Sequence, residues 1–245
     1  MLTMRLLDVT LATPEENLAL DEVLLSAVEE EGAEEVVRVW QSPVPFVVLG
    51  VAQAVRAHVH DRACARDGVP VLRRCSAGGC VLQGPGCLNY TLVWRPEHHP
   101  EIRTLRGSYC HILGRLSDAL AKRGVSARHK GISDLAVSGK KVSGSAQKRR
   151  RKAILHHGTL LYATDYDAML RYLREPAERP QYRGNRTHRG FVRDLPLSPQ
   201  ELREVIWGAF DLHGEPEEVL TAQELRAVEG LVREKYGQAG WNRRK

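Results

Sequence analysis

The sequence has no apolar run long enough to span a bilayer, which excludes a helical membrane protein. Its first residues lack a basic start followed by an apolar core, so no secretion signal, no membrane partner and a cytoplasmic location are expected. There is no Cys-x-x-Cys pair. The five cysteines, Cys64, Cys75, Cys80, Cys87 and Cys110, are odd in number, which argues for free thiols and against a structural zinc site. Aromatic residues are only 6% of the chain, and no RNP or helix-turn-helix signature accompanies them. The net charge of +6 therefore suits an anionic partner of some kind without choosing among a nucleotide, a nucleic acid and an acidic protein. Two nucleotide signatures are missing as well: Gly-x-x-x-x-Gly-Lys-Ser/Thr and Gly-x-Gly-x-x-Gly. Internal repeats and low-complexity linkers are also absent.

What is present is a chain of 245 residues, 42% hydrophobic, enough to bury the core of one domain. A single domain over residues 1–245 is expected, with a small helical C-terminal appendage over 196–245. Helical and strand patterns alternate irregularly, which predicts an α+β fold. A helix is expected from Pro14, because Thr13 and Glu16 have capping-box spacing, with Gly32 ending it. Strands are expected over 36–40 and 46–49, joined by a turn at Ser42-Pro43, and over 69–73 and 88–94. A short helix over 61–67 closes at Gly68. A longer one covers 104–123, where Leu105, Tyr109, Ile112, Leu116 and Leu120 share a face. Hairpin arms are expected around Ser138-Gly139, then an apolar strand over 153–162 and a helix over 165–173. The polar stretch 175–190 reads as a loop. Ser198 with Glu201 and Thr221 with Glu224 are two further capping boxes, so two helices follow, and Trp241 is expected to pack back on the domain.

Two segments carry chemistry. In Arg73-Arg74-Cys75-Ser76-Ala77-Gly78-Gly79-Cys80-Val81, small residues let backbone amides approach an anion, and arginine adds a planar fork for phosphate or carboxylate oxygens. Taken alone, the segment also fits a flexible glycine turn that follows two solvated arginines. The second segment runs from Gly131 through Asp134 and Lys141 to Gln147, followed by Ile154-Leu155-His156-His157-Gly158-Thr159-Leu160-Leu161. A lysine on a strand beside small residues can neutralise a carboxylate and a phosphate together, and Asp134 can hold magnesium. Lys140 and Lys141 as exposed hairpin charges, with the histidines in the core, is the other reading of the same residues.

Together the segments resemble the lipoate–protein ligase family, part of the group that also holds biotin–protein ligases and octanoyltransferases. The family pattern is Arg-Arg-x-Ser-Gly-Gly-Gly, then Asn-Asp-Leu, then Arg-Lys-Val/Ile-Ser-Gly-Ser-Ala, then His-His-Gly-Thr-Leu-Leu. Here the matches, in the same order, are Arg73 to Gly79, Ser133-Asp134-Leu135, Lys140 to Ala146 and His156 to Leu161. Weaker likenesses are Asn17 to Glu22, Gly50 to Gln53, Lys235-Tyr236 and Trp241-Asn242. The resemblance implies a biotin/lipoate-ligase-like (class II synthetase-like) catalytic domain, with mixed, mainly antiparallel sheets flanked by helices. It implies ATP and magnesium as cofactors and lipoate or octanoate as substrate. Arg74 resembles the arginine on the adenylate phosphate. Gly79, Cys80, Val81 and Leu82 resemble the loop that wraps nucleotide and acyl chain. Lys141 resembles the catalytic lysine that touches the acyl carbonyl and the α-phosphate, and Asp134 the magnesium-linked aspartate. Arg73, Ser76, Gly78, Gly79, Lys141 and His157 fall on the lipoate side.

The departures are Ala77 for the first glycine, Gln83-Gly84-Pro85-Gly86 where the family has His-Asp, Cys87 for Asn, and Ser133 for Asn. They bear on pocket shape and acyl preference. Many relatives carry a large C-terminal accessory domain after the Trp-Asn segment; none is expected here, so the chain either works alone or uses a separate accessory protein. The implied acceptor is an E2 lipoyl domain, a glycine-cleavage H protein or an H-like lipoate-binding protein. The basic run Lys148 to Lys152 is either a solvated turn or a steering patch for an acidic acceptor. Octanoyltransferases of this group use a cysteine just upstream of the lysine segment, and residues 126–133 contain none, so the adenylate route is expected over an octanoyl or lipoyl transferase. A nucleic-acid-binding module, resting on charge alone, is the alternative from another class, and a catalytically dead relative is a third; no nucleic-acid partner is expected.

Overall fold

The computed structural model describes residues 4–31, 33–212, 216–217 and 219–244. Its strands are β1 (Met4–Asp8), β2 (Glu35–Trp40), β3 (Phe46–Leu49), β4 (Val71–Arg73), β5 (Val81–Gln83), β6 (Cys87–Trp94), β7 (Arg128–Lys130), β8 (Asp134–Val137), β9 (Lys140–Arg149) and β10 (Ile154–Leu161). The helices are α1 (Pro14–Ser26), α2 (Val55–His58), α3 (Asp61–Asp67), α4 (Leu105–Lys122), α5 (Tyr166–Tyr172), α6 (His188–Phe191), α7 (Pro199–Ala209), α8 (Ala222–Leu231) and α9 (Ala239–Asn242). Seven strands form one sheet in the order β1-β2-β6-β10-β9-β8-β7, and β4-β3-β5 form a second. Among the described residues only β1–β2 and β3–β4 pair in parallel; the other pairs are antiparallel. This is the mainly antiparallel α+β architecture expected. No helix among the described residues is long and apolar enough to cross a membrane.

Helix starts follow local chemistry. Thr13, Ser198 and Thr221 each accept from the backbone of the glutamate three residues on, which reaches back to the cap, closing three capping boxes. Helix α1 continues into a π-helical turn over Ala27–Glu31; the expected stop at Gly32 lies outside the described residues. The Ser138-Gly139 hairpin forms as expected, with both residues at positive φ (50° and 74°).

The turn at Ser42-Pro43 does not join two strands of one sheet. Pro43 and Pro45 cannot donate to a ladder, and Ser42 Oγ binds the backbone of Val44 instead, so the chain leaves the large sheet and enters the small one. Strands β1, β5 and β7 were not apparent in the sequence. Two are three residues long, and β7 is a basic edge strand with no apolar alternation. The 175–190 stretch contains a short 3-10 turn and the start of α6.

Alternation along the strands divides the interior. Val37, Val39, Leu88, Tyr90, Leu92 and Leu160 face α4 and α7. The opposite face meets α1 and the side of the small sheet carrying Phe46 and Val48. Val47, Leu49 and Leu82 point away from it, toward α2, α3 and α5. Helices within 196–245 contribute to these cores: Leu202, Val205 and Ile206 to the first, Val228 and Tyr236 to the second.

Arg73 corrects a sequence expectation. Its guanidinium is fully buried and donates to the carbonyls of Gly50 (2.9 Å), Gln53 (2.6 Å), Trp241 (3.1 Å), Asn242 (3.2 Å) and Arg244 (2.7 Å). It fastens the C-terminal segment and is not turned toward the cleft described below. Trp241 returns the contact, its Nε1 donating to the Arg73 carbonyl at 2.8 Å. The change Arg73→Met removes every one of these donors and strands buried carbonyls, at about 1–3 kcal/mol for each group left unpaired. Denaturant unfolding should show a loss of at least about 3 kcal/mol, with faster amide exchange over residues 235–244.

Candidate active site

A cleft lies between the large sheet and the small one. Its floor is the α1-facing side of β2, β6, β10 and β9, where Trp40, Asn89, Thr159 and Gly144 are cross-strand partners in one rung. Leu18 and Asp21 of α1, Val48 of β3, Val81 and Gln83 of β5, and the Gly78-Gly79 turn supply the walls.

Lys141 reaches this cleft because of a local irregularity. Between β8 and β9, Leu135 pairs with Ser143 but Ala136 pairs with Lys141, so Val142 is an extra residue, a bulge. Val142 enters the α4-side core while Lys141 is re-aimed. Its Nζ lies 2.7 Å from Asp134 Oδ1, and the second carboxylate oxygen, Oδ2, accepts from Tyr182 at 2.8 Å. Burial, together with Asp134, pushes the Tyr182 phenol pKa well up, so it remains a donor. A Cβ on Gly144 would stand 2.6 Å from Lys141 Nζ, so a side chain here would displace the amine from its present position. Among the described residues no three His, Cys, Asp or Glu side chains come together as a metal site. Each oxygen of Asp134 accepts one of these donors, and a carboxylate has further lone pairs beyond those two.

A buried network backs the cleft. Asp21, with 1% of its side chain exposed, accepts from Arg38 (2.8 Å), Thr91 (3.0 Å) and His157 Nδ1 (2.9 Å). Burial alone would raise its pKa; the bonds from His157 and the Arg38 charge outweigh that and hold it below the usual carboxylate range. A carboxylate only accepts, so His157 presents Nδ1–H to it and turns Nε2 to Ser76 Oγ at 2.6 Å. Ser76 Oγ in turn accepts from Arg74 Nε at 2.9 Å. Arg38 also binds Asn17 Oδ1 at 2.6 Å, which explains the weak likeness over Asn17 to Glu22.

Arg74 is buried on the cleft wall, and Ala77 O accepts from its Nε and Nη2, leaving Nη1 uncommitted among the described residues. Burial lowers its pKa to about 10, which still leaves a cation at neutral pH. Gly78 has φ +92°, a conformation L side chains rarely adopt, and packs against the guanidinium. The alanine at 77 is tolerated because its carbonyl, not an added close approach, makes the contact.

Lys141, Arg74, Gly78, Gly79, Cys80, Val81 and His157 thus all line one cleft. Ser76 lies one layer behind, bonded to His157 and Arg74. Leu82 is corrected: strand alternation in β5 sends it to the far core, with Val81 and Gln83 facing the cleft. Asp21, Arg38, Trp40, Asn89, Thr159 and Tyr182 were not singled out from the sequence. One signal was available: an arginine inside the apolar run Val36-Val37-Arg38-Val39 demands a buried partner. A larger cavity of about 870 Å³, bordered by Arg56, Arg62, Arg66, Arg171, Arg174 and Arg243, contains none of the expected site residues.

The chain resembles known proteins over most of its length. A family model described as the lipoyl protein ligase A/B catalytic domain matches residues 13–204. A protein provisionally named lipoate-protein ligase A from Aeropyrum pernix is 31% identical, covering 96% of this chain and 90% of its own. Octanoyltransferase LipM from Carboxydothermus hydrogenoformans is 30% identical over 98% of each chain. Among solved structures, a bipartite lipoate protein ligase studied with its E2 lipoyl domain, from Thermoplasma acidophilum, superposes with a TM-score of 0.83 at 24% identity, covering 98% of this chain and 97% of that one. A Thermoplasma acidophilum protein with bound lipoic acid and a lipoate-protein ligase A bound with ATP each give a TM-score of 0.83, at 22% and 23% identity, over 99% of both chains.

On the other face of β10, His156 is fully buried, bonded to Gln147 (2.8 Å), and burial drives its pKa down to about 3. Between pH 6.5 and about 3 the unfolded chain binds a proton here that the native state refuses, so stability falls as acid is added and is regained above pH 6.5. From pH 7 to pH 5 this one group should cost about 2 kcal/mol. Urea unfolding at the two pH values, compared with His156→Gln, should show the variant losing less by that amount.

Proposed function

The chain belongs to the lipoyl protein ligase A/B catalytic-domain family, and from that membership we propose that it activates lipoate, or the related octanoate, with ATP and transfers the acyl group to a lysine of a lipoyl-accepting protein. The observation carrying this reading is the Lys141 ammonium, held 2.7 Å from Asp134 in a cleft shared with Arg74 and the Gly78-Gly79 turn. An ammonium has three N–H donors. One is on Asp134; the other two are available for the acid's carboxylate and the α-phosphate.

In the first half-reaction a carboxylate oxygen attacks the α-phosphorus, the bond to the pyrophosphate oxygen breaks, and acyl-AMP forms. Lys141 holds nucleophile and electrophile together, and Arg74 spreads the charge that develops on the phosphate. His157 orients the Gly loop through Ser76. Magnesium belongs to this scheme as the counter-ion that nucleotide phosphates bring with them. In the second half-reaction the uncharged amine of the acceptor lysine attacks the acyl carbon, the amide forms, AMP leaves and a proton passes to solvent. Lys141 then stabilises the oxyanion.

An octanoyltransferase is the nearest rival, given the similarity to LipM. It needs a thiolate at the reacting carbon. Residues 126–133 contain no cysteine, and the cleft-lining thiol, Cys80, is pushed up to about 12 by burial. A thiol that stays protonated at neutral pH is a poor nucleophile, which favours the adenylate route. The acceptor fits an E2 lipoyl domain, an H protein or an H-like carrier, with or without a separate accessory protein. The basic run offers less for steering than its sequence suggests. Arg149 is spent on the Ile102 and Arg103 carbonyls and Arg150 on Glu30, leaving Lys148, Arg151 and Lys152.

The test is ATP–pyrophosphate exchange with lipoate and octanoate. Lys141→Ala should lower exchange by roughly a hundred- to a thousandfold while the chain stays folded. Cys80→Ser should retain it. Acyl transfer without ATP, with an acyl-thioester on the chain, would replace this reading with the transferase one.

A further inference from the structure

The rung that floors the cleft is polar where an acyl tail would lie. Trp40, Asn89 and Thr159 are direct partners across β2, β6 and β10, and Gln83 of β5 reaches over them. Gln83 Nε2 donates to Thr159 Oγ1 at 2.7 Å, and that hydroxyl donates to Asn89 Oδ1 at 2.8 Å. Among the described residues, three buried atoms of the same set have no hydrogen-bond partner: Gln83 Oε1, Asn89 Nδ2 and Trp40 Nε1. Turning either amide over exchanges which of its atoms is paired and still leaves one group of each alone. Each buried group left unpaired costs about 1–3 kcal/mol, so a rung with three must be completed from the cleft, by water or by a polar group of the ligand. A hydrocarbon tail cannot do so.

The rung also starts at the reacting end. Thr159 pairs with Gly144, the residue against which Lys141 Nζ lies, so a chain leaving Lys141 along this row crosses Thr159, then Asn89, then Trp40. At strand spacings of about 4.8 Å, three steps cover about 14 Å. Leu18, Val48 and Val81 give the same path apolar walls.

From this juxtaposition we propose that the cleft is built for a medium-chain carboxylic acid carrying a hydroxyl group on its tail, with Gln83 and Asn89 as the residues that select it. One hydroxyl donates once and accepts twice; the unpaired set is one acceptor and two donors. Plain octanoate is the poorer ligand on this account. The inference rests on the acid-binding role assigned to this cleft under the proposed function and goes beyond it in naming the class of acid.

The experiment measures binding without ATP, by calorimetry, of octanoate, lipoate and 6-, 7- and 8-hydroxyoctanoate to the wild-type chain. At least one hydroxylated acid should bind on the order of tenfold more tightly than octanoate, as one or two net hydrogen bonds supply. Gln83→Leu and Asn89→Leu, singly and together, should erase or reverse that ratio. The single variants keep the test valid if the double variant does not fold. Equal or tighter binding of octanoate by the wild type, a ratio unchanged in the folded variants, or no binding of any acid would each overturn the proposal. Acyl-AMP formation is scored separately. Adenylate from octanoate with no preference for a hydroxylated acid sinks this inference and leaves the ligase reading standing. Preferential binding with no adenylate does the reverse.

Discussion

Moving a carboxylate out of water costs several kcal/mol unless charge and hydrogen bonds replace the solvent. Asp21 is such a carboxylate, and its replacements come from three strands: Arg38 on β2, Thr91 on β6 and His157 on β10. Helix α1 can therefore dock on the sheet in one register only, since a shift in either direction would leave an anion unpaired in the interior. The constraint travels further. With Asp21 fixed as acceptor, the imidazole of His157 has one useful orientation, Ser76 takes its other nitrogen, and Arg74 is set by Ser76. Three polar contacts thus connect the packing of the first helix to the guanidinium on the cleft wall.

How much of this was legible depends on how local the cause is. Capping boxes act over three residues, so the starts of α1, α7 and α8 were readable from Thr13, Ser198 and Thr221. The hairpin at Ser138-Gly139 was readable for the same reason. The partition of β2 and β3 into different sheets was not, because nothing in Ser42-Pro43 says which partner each strand meets. At the site, the Gly loop, Lys141 and His157 were visible as motifs. Asp21 and Arg38 were not, because a buried ion pair is a relation between positions 17 residues apart. Arg73 and Leu82 were misplaced for one physical reason: a motif names consecutive residues, but an extended chain sends consecutive side chains to opposite sides. Arg73 and Arg74 are neighbours in the motif and have opposite tasks.

The bulge at Val142 makes a related point about Lys141. In a regular ladder, alternation would fix the lysine's direction from its neighbours. Here one extra residue lets Val142 fill the α4-side core and Lys141 turn into the cleft. The bare Gly144 then gives its amine room beside Asp134. The carboxylate read from the sequence as a metal ligand is, in this arrangement, the lysine's anchor, itself held by Tyr182. Anchoring restricts a flexible four-carbon stem before any reactant arrives, which removes part of the ordering cost from the reaction itself.

The back-to-back arginines also explain why residues near position 240 matter to a loop near position 75. Arg73 cannot satisfy its donors without the carbonyls of Trp241, Asn242 and Arg244, and the Arg73 backbone is bonded to Asn242 and Trp241 in return. The next residue along is Arg74, whose reach into the cleft is only as well defined as the strand that precedes it. Lys235 and Tyr236 extend the same fastening to Glu22 on α1, at 2.5 and 2.6 Å. Glu22 is the neighbour of Asp21. The C-terminal segment and the buried carboxylate therefore hold the two ends of one assembly, α1 on one side and the start of the Gly loop on the other. Loosening either end would remove part of what fixes Arg74 on the cleft wall.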